Sequence, residues 1–200
     1  MTLPLVLASS SPYRRLLLER LRLPFVWASP DVDETPLVGE EVAAMTLRLA
    51  TSKARALAER HPDSLIIGSD QACVREDSTT IVGKPGNFEK ARQQLLAASG
   101  HSVSFHTALV LLNTTTDILQ STHDVFTVRF RELTDAEICR YLQLEQPWDC
   151  AGSFKAEGLG ITLFTGMSGN DFHSLIGLPL INLCKLLRQN GLDPLTPVTP

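Results

Sequence analysis

The stretch Leu3-Pro4-Leu5-Val6-Leu7-Ala8-Ser9-Ser10-Ser11-Pro12-Tyr13-Arg14-Arg15 decides the fold class. Leu3 to Ala8 reads as a buried strand, because the run is short and apolar throughout. The three serines turn the chain. Ser11 suits an N-cap and Pro12 the first helical position, and Leu16, Leu17, Leu18 and Leu21 then carry a helix into the core. A strand, a tight turn and a helix make the first unit of an α/β protein.

The alternation continues outward from there. A helix is expected over Glu40 to Arg60, with Met45, Leu49 and Leu57 on its apolar stripe. Leu65 to Val74 reads as a central strand and Asn87 to Ser99 as a helix stopped by Gly100. Ser102 to Leu112 is a strand with Val103, Phe105, Leu109 and Leu111 on one face. Phe126, Val128 and Phe130 alternate with Thr127, Arg129 and Arg131, so that strand has one buried side. Thr134 to Glu137 is a capping box opening a helix. Ile161 to Phe164 reads as a late strand and Leu178 to Asn190 as a final helix ended by Gly191. We expect a single domain over 1–192, with a frayed tail over 193–200.

Composition narrows the function classes. The 200 residues are 44% hydrophobic and 20% charged, a globular profile. A net charge of −4 argues against a protein that coats a nucleic-acid polymer. The four cysteines stand far apart and read as buried free thiols in a reducing compartment, and the five histidines show no ligand spacing, which makes a zinc site unexpected. The N-terminal apolar run lacks a basic lead and is short for a signal peptide. No run reaches the ~18 apolar residues of a membrane span. The expectation is a cytoplasmic protein with no membrane partner.

Four places carry chemistry. Free N–H groups at the Ser9–Arg15 turn make an anion cradle, and a bound phosphate would offset two arginines at the positive end of a helix; an ordinary capped helix with surface arginines is the plain alternative. Asp70 lies inside Leu65-Ile66-Ile67-Gly68-Ser69-Asp70-Gln71-Ala72-Cys73-Val74. A carboxylate in an apolar strand is costly unless paired, protonated or metal-bound, so a reacting group or a structural ion pair is expected, and Gly68 and Ser69 suit close approach of a ligand. Lys53 falls on the stripe of Met45, Leu49 and Leu57, pointing inward or snorkelling to the rim. Lys84 is a turn lysine, Asp31, Asp33 and Glu34 form an acidic loop that binds metal or is merely solvated, and the glycine-rich Ala151–Gly160 is a ligand loop or a connector. Ser168 in Gly166-Met167-Ser168-Gly169 does not meet the nucleophile-elbow pattern of a serine hydrolase.

In order along the chain, Leu7-Ala8-Ser9-Ser10-Ser11-Pro12-Tyr13-Arg14-Arg15, Asp33-Glu34-Thr35-Pro36, Lys53-Ala54, Gly68-Ser69-Asp70-Gln71, Gly83-Lys84-Pro85, Ala151-Gly152-Ser153-Phe154-Lys155 and Gly177-Leu178-Pro179 resemble the Maf (septum-formation inhibitor-like) family. The resemblance implies an α/β fold with a mixed twisted sheet, flanking helices and two lobes around a central cleft, ITPase-like, and often a homodimer. It implies hydrolysis of a nucleoside triphosphate between the α and β phosphates, with Mg²⁺ or Mn²⁺ as cofactor. Asp70 matches the catalytic base. Ser9, Arg14, Arg15, Lys53 and Lys84 match phosphate-binding residues, and Glu34 an acidic cleft position that would join Asp70 at the metal. Tyr13, Gln71 and Lys155 match the positions that separate subfamilies. Gln71 and Lys155 follow the 7-methyl-GTP branch, whereas Tyr13 stands where that branch often has Trp.

Tyr13 suits a stacking platform for the cationic methylated ring, Gln71 a reader of a base edge, and Lys155 a donor near guanine O6 or a phosphate. The expected activity is conversion of 7-methyl-GTP to 7-methyl-GMP and pyrophosphate, a clearance of modified nucleotides. The alternatives are a dTTP/UTP or broad-specificity pyrophosphatase, and a non-catalytic nucleotide-binding regulator of cell division.

Overall fold

The Leu5–Ala8 run is strand β1, fully buried, and it lies inside a seven-stranded sheet. The structure, a computed structural model, describes residues 3–196. In chain order the elements are β1 (Leu5–Ala8), α1 (Pro12–Glu19), β2 (Phe25–Ala28), α2 (Val42–Arg55), β3 (Leu65–Arg75), β4 (Ile81–Val82) and α3 (Phe88–Ala98). Then follow β5 (Ser102–Asn113), β6 (Ile118–Phe130), α4 (Asp135–Glu145), β7 (Phe164–Ser168), α5 (Phe172–Ile176) and α6 (Leu180–Gln189). The strands run in the order β2-β1-β3-β5-β6-β7, with β4 paired to β3. β1 is parallel to both neighbours and the remaining pairs are antiparallel, so the sheet is mixed.

The local signals act as read. Ser11 Oγ accepts from Arg14 N at 3.4 Å with Pro12 opening α1. Asn87 Oδ1 accepts from Lys90 N at 3.0 Å, and Thr134 and Glu137 make both bonds of a capping box. Other readings are corrected. The late strand expected over 161–164 is a 3₁₀ turn over Leu159–Leu163, and the strand begins at Phe164. There Gly160 lies on the Lys155 backbone, so close that a Cβ would fall 2.2 Å from Lys155 O. That contact demands a turn, not an extended chain. The helix expected over 40–60 ends at Arg55, where the N–H bonds tighten to Leu57 N→Ala54 O. The final helix starts at Leu180, because Leu178 N is used to close the Gly177 turn onto His173 O. Of the four thiols, Cys73 is fully buried and the other three are partly exposed. The tail residues 193–196 make a turn on Asp193, and 197–200 lie outside the described residues.

Strand alternation organises two apolar cores on one face of this sheet. One gathers Leu65 and Ile67 of β3 and Leu109 and Leu111 of β5 beneath α1 and α6. The other gathers Cys73, Phe105, Phe126, Val128 and Phe130 beneath α3 and α4. Between them, on the same face, Gln71, Thr107 and Asp124 stand in register across β3, β5 and β6, with Ser69 two residues before Gln71 on β3. This polar seam separates the two apolar cores. The opposite face is packed by α2, whose Ala50 and Ala54 lie against Gly68.

Candidate active site

β1 pairs with β3 only as far as Gly68, so the β1-side edge of β3 is open at Asp70 and Gln71, before β4 pairs at Cys73, while β5 continues on the other side. This open edge lies beside the turn that leads into α1. Crevices form at such strand ends in α/β sheets. Here a cavity of about 600 Å³ opens, lined by residues from the α1 turn, the Glu34 loop, α2, β3, Lys84, the Asp149–Glu157 segment and α5. Successive side chains on a strand point to opposite faces. Asp70 therefore faces α2 and Gln71 faces α5, and the cavity wraps around the strand to reach both.

On the α2 side, Lys53 Nζ lies 2.6 Å from Asp70 Oδ1 and 2.7 Å from Glu34 Oε1. Lys53 is buried, as its place on the apolar stripe implied, and its ammonium joins strand and loop. Burial raises the Glu34 pKa, but the hydrogen bond and charge of Lys53, then Lys84 and Arg14, outweigh it and hold the carboxyl below its ordinary range. Arg14 also lines this end. Its Nε donates to Gly177 O at 2.8 Å, and burial lowers its pKa against the opposing pull of Asp70 and Glu34. Lys84 is exposed at the mouth. In the serine turn, Ser9 Oγ accepts from Ser11 N at 3.1 Å. Ser10 N and Tyr13 N have no hydrogen-bond partner among the described residues. Two free amides, two cations and a paired lysine face one space, which is a chemistry for polyanions.

On the α5 side the wall combines apolar Phe105, Phe154, Leu175 and Ile176 with the carboxylates Asp149 and Glu157, and Tyr13 stands at its edge. The Tyr13 hydroxyl donates to Asp149 Oδ1 at 3.3 Å. Gln71 Nε2 donates to Ser174 O at 2.6 Å, Thr107 Oγ1 at 3.0 Å and Leu175 O at 3.1 Å. Its amide is locked by the seam. The same short helix end holds Ser69, whose Oγ donates to Gly177 O at 3.0 Å and Ala108 O at 2.9 Å. Gly68 and Ser69 were expected to admit a ligand; instead a Gly68 Cβ would meet Ala50 O at 2.1 Å, and the close approach is to helix α2.

Three residues implied by the resemblance, Ser9, Arg15 and Lys155, lie apart from the cavity wall. The Arg15 guanidinium sits over the Trp27 ring at 5.0 Å and reaches Glu19 at 3.9 Å. Lys155 Nζ donates to Glu145 O at 2.6 Å, at the end of α4, while its neighbours Phe154 and Ala156 do line the cavity. Ser9 is buried in the turn beneath Ser10 and Ser11. Asp31 and Asp33 stand clear of the wall, and Asp33 caps Thr35 at 2.9 Å. Ser168 is exposed on β7. Sequence reasoning missed Asp149 and Cys150 at the α5 end, and took in Glu157 only as one residue of the glycine-rich Ala151–Gly160 loop. The first two follow a helix terminus with no motif to mark them. Burial pushes the Cys150 thiol up to about 12, so it is neutral and a poor nucleophile.

No helix of the described residues is long and apolar enough to cross a membrane. A family model described as "Maf-like protein" matches residues 4–190. A 7-methyl-GTP pyrophosphatase of Pseudomonas fluorescens is 58% identical over 191 residues, 96% of this chain and 98% of that protein. Among solved structures, a nucleoside-triphosphatase (dITP/XTP pyrophosphatase) of Mycobacterium abscessus aligns at TM-score 0.44 and 18% identity, covering 64% of this chain and 74% of that one. The Ham1 protein of Staphylococcus aureus aligns at TM-score 0.49 and 14% identity, covering 94% and 99%. At that distance neither structural likeness bears on what this chain does.

Proposed function

Since the chain belongs to the Maf-like protein family, we propose that it is a nucleoside triphosphate pyrophosphatase whose substrate is 7-methyl-GTP, released as 7-methyl-GMP and pyrophosphate. The near full-length 58% identity to a 7-methyl-GTP pyrophosphatase supports the reaction. The observation that carries the reading is one cavity at the end of β3 that is lined both by the cations Arg14, Lys53 and Lys84 and by the aromatic rings of Tyr13, Phe105 and Phe154.

The triphosphate lies at the α2 side. Arg14, Lys53 and Lys84 offset its charge, which would otherwise repel a nucleophile, with Ser9 shaping the turn and Ser10 and Tyr13 amides facing the oxygens. Asp70 takes a proton from water. The resulting hydroxide adds to the α phosphorus, and the bond to the α–β bridging oxygen breaks, so that pyrophosphate leaves with that oxygen.

Mg²⁺ or Mn²⁺ fits the donors on chemical grounds. Asp70 and Glu34 are hard oxygen ligands, each with its second oxygen outside the Lys53 contacts. Two carboxylates suit a cation that takes its remaining ligands from substrate phosphates and water. Such a cation supplies charge neutralisation at the phosphates. Tyr13 and Gln71 contact the base. Lys155 bears on specificity by holding the Phe154–Ala156 wall against α4, and Arg15 supports the α1 turn from behind.

Pyrophosphate release measured with 7-methyl-GTP, GTP, dTTP and UTP, with Mg²⁺ or Mn²⁺, tests the reading. We expect 7-methyl-GTP to give the highest kcat/KM. A preference for dTTP or UTP would replace the substrate, and binding without pyrophosphate release would replace the enzyme with a regulator. Light scattering in solution tests the homodimer implied by the family.

A further inference from the structure

No cation that borders the cavity makes an ion pair with a carboxylate of its α5 end among the described residues. Lys53 is taken by Glu34 and Asp70, Arg14 Nε by Gly177 O at the end of α5, and Lys84 stands exposed at the mouth; Lys155, behind the wall, is taken by Glu145. Asp149 and Glu157 line that end and have no ion pair among the described residues. Glu157 makes no side-chain hydrogen bond there either, and it stands close enough to raise the Cys150 thiol pKa after burial has done so. Gln71 contributes only acceptor character, because its NH₂ group is spent on Ser174 O, Leu175 O and Thr107. Burial, followed by the Cys150 thiol and Asp149, keeps the Tyr13 phenol protonated far above its ordinary range. Its O–H points to Asp149, which leaves the ring face to a ligand.

An end built from two free carboxylates, an amide oxygen and a phenol ring suits a flat group that is both positively charged and rich in N–H donors. Guanine methylated at N7 is such a group. Its ring carries a positive charge, and its N1–H and exocyclic NH₂ donate along one edge. Unmethylated guanine has the donors without the charge. From this polarity, and resting on the 7-methyl-GTP reading above, we infer that Asp149 and Glu157 are specificity-determining residues that select the cationic base over neutral guanine. Asp149 also orients Tyr13 so that ring and carboxylate meet the base from adjacent sides. The phosphate end has no part in this choice, since both nucleotides carry the same triphosphate.

The test is the double substitution Asp149→Asn and Glu157→Gln, which keeps size and one acceptor oxygen on each side chain while removing both charges. The readout is kcat/KM for 7-methyl-GTP and for GTP with each protein. We expect 7-methyl-GTP to lose about tenfold or more and GTP to stay within about twofold, so the selectivity ratio collapses. The GTP rate doubles as the check on folding. A ratio that survives the double substitution, or a parallel loss on both substrates, overturns the pair's role and leaves the substrate reading standing. A parent protein that turns over the two nucleotides equally overturns the substrate reading, and the pair's role with it, before any variant is made.

Discussion

Lys53 Nζ and Asp70 Oδ1 lie 2.6 Å apart, both side chains more than nine-tenths buried, so the acid of the central strand is held in place by an ammonium from α2. Removing one partner of a buried pair leaves an uncompensated charge. Lys53→Met should cost about 3–5 kcal/mol in urea unfolding, and the double variant Lys53→Met with Asp70→Asn should recover much of it. Additive losses would show that the two groups are not coupled.

Asp70→Asn keeps the shape and a hydrogen bond for Lys53 but cannot accept a proton from water. Pyrophosphate release should fall at least ~100-fold. The melting temperature should fall less than in Lys53→Met, because Glu34 still pairs the Lys53 ammonium at 2.7 Å. A variant with parental turnover would take the base role from Asp70.

Gly68 has no room for a methyl group, since its Cβ would lie 2.1 Å from the backbone oxygen of Ala50. A backbone oxygen in mid-helix cannot step aside, so α2 must shift, and α2 carries Lys53. Gly68→Ala should destabilise by about 1–3 kcal/mol in denaturant. It should also lower turnover, because Lys53 loses its register with Asp70. Parental stability would mean that α2 packs less closely on the strand.

Adjacent arginines have different surroundings. Arg14 lines the cavity, while Arg15 covers Trp27 on the outer edge strand. Arg14→Ala should reduce kcat/KM about 100-fold, as loss of a donor that stabilises developing charge does. Arg15→Ala should leave kcat/KM within about twofold and cost about 0.5–1 kcal/mol of stability. Equal effects on turnover would place both at the phosphates.

His106 and His123 stack with ring centroids 5.2 Å apart on β5 and β6. Burial lowers the pKa of both below the ordinary 6.5; the charge of His123 adds to this at His106, and Asp124 opposes it at His123. The unfolded chain thus takes up these protons at a higher pH than the fold does. Stability is full above 6.5 and declines as pH falls below it. Asp124, raised by burial and by Asp171, titrates in the opposite sense and offsets part of the decline. The melting temperature should fall between pH 7.5 and 5.5, and by less in the His106→Gln, His123→Gln variant. An equal fall in that variant would locate the acid sensitivity elsewhere.

Much of the frame was legible from the chain because its signals are local. Ser11 and Pro12 start a helix wherever they sit, and Thr134 and Glu137 satisfy each other within one turn. The Phe25–Ala28 strand was missed because it is four residues at a half-exposed edge with no strong alternation. The 3₁₀ turn at Leu159–Leu163 was misread because its cause, Gly160 against the Lys155 backbone, is a packing contact and not a pattern. Among site residues, Lys53 was visible as a cation on an apolar stripe and Asp70 as an acid in an apolar strand. Asp149 was invisible, since charged residues near a helix end are ordinary, and Glu157 was visible only as part of the glycine-rich Ala151–Gly160 loop.

By itself, then, the sequence determined the α/β alternation, the buried acid and its lysine, and the family, because capping, periodicity and motif order depend only on neighbours along the chain. Tertiary structure alone decided which charges meet. The polar seam of Ser69, Gln71, Thr107 and Asp124 unites residues from three strands. Arg15 and Lys155 are drawn away by partners that no spacing announces. Electrostatic pairing follows distance in space, and distance in space is set by how the sheet brings remote segments side by side.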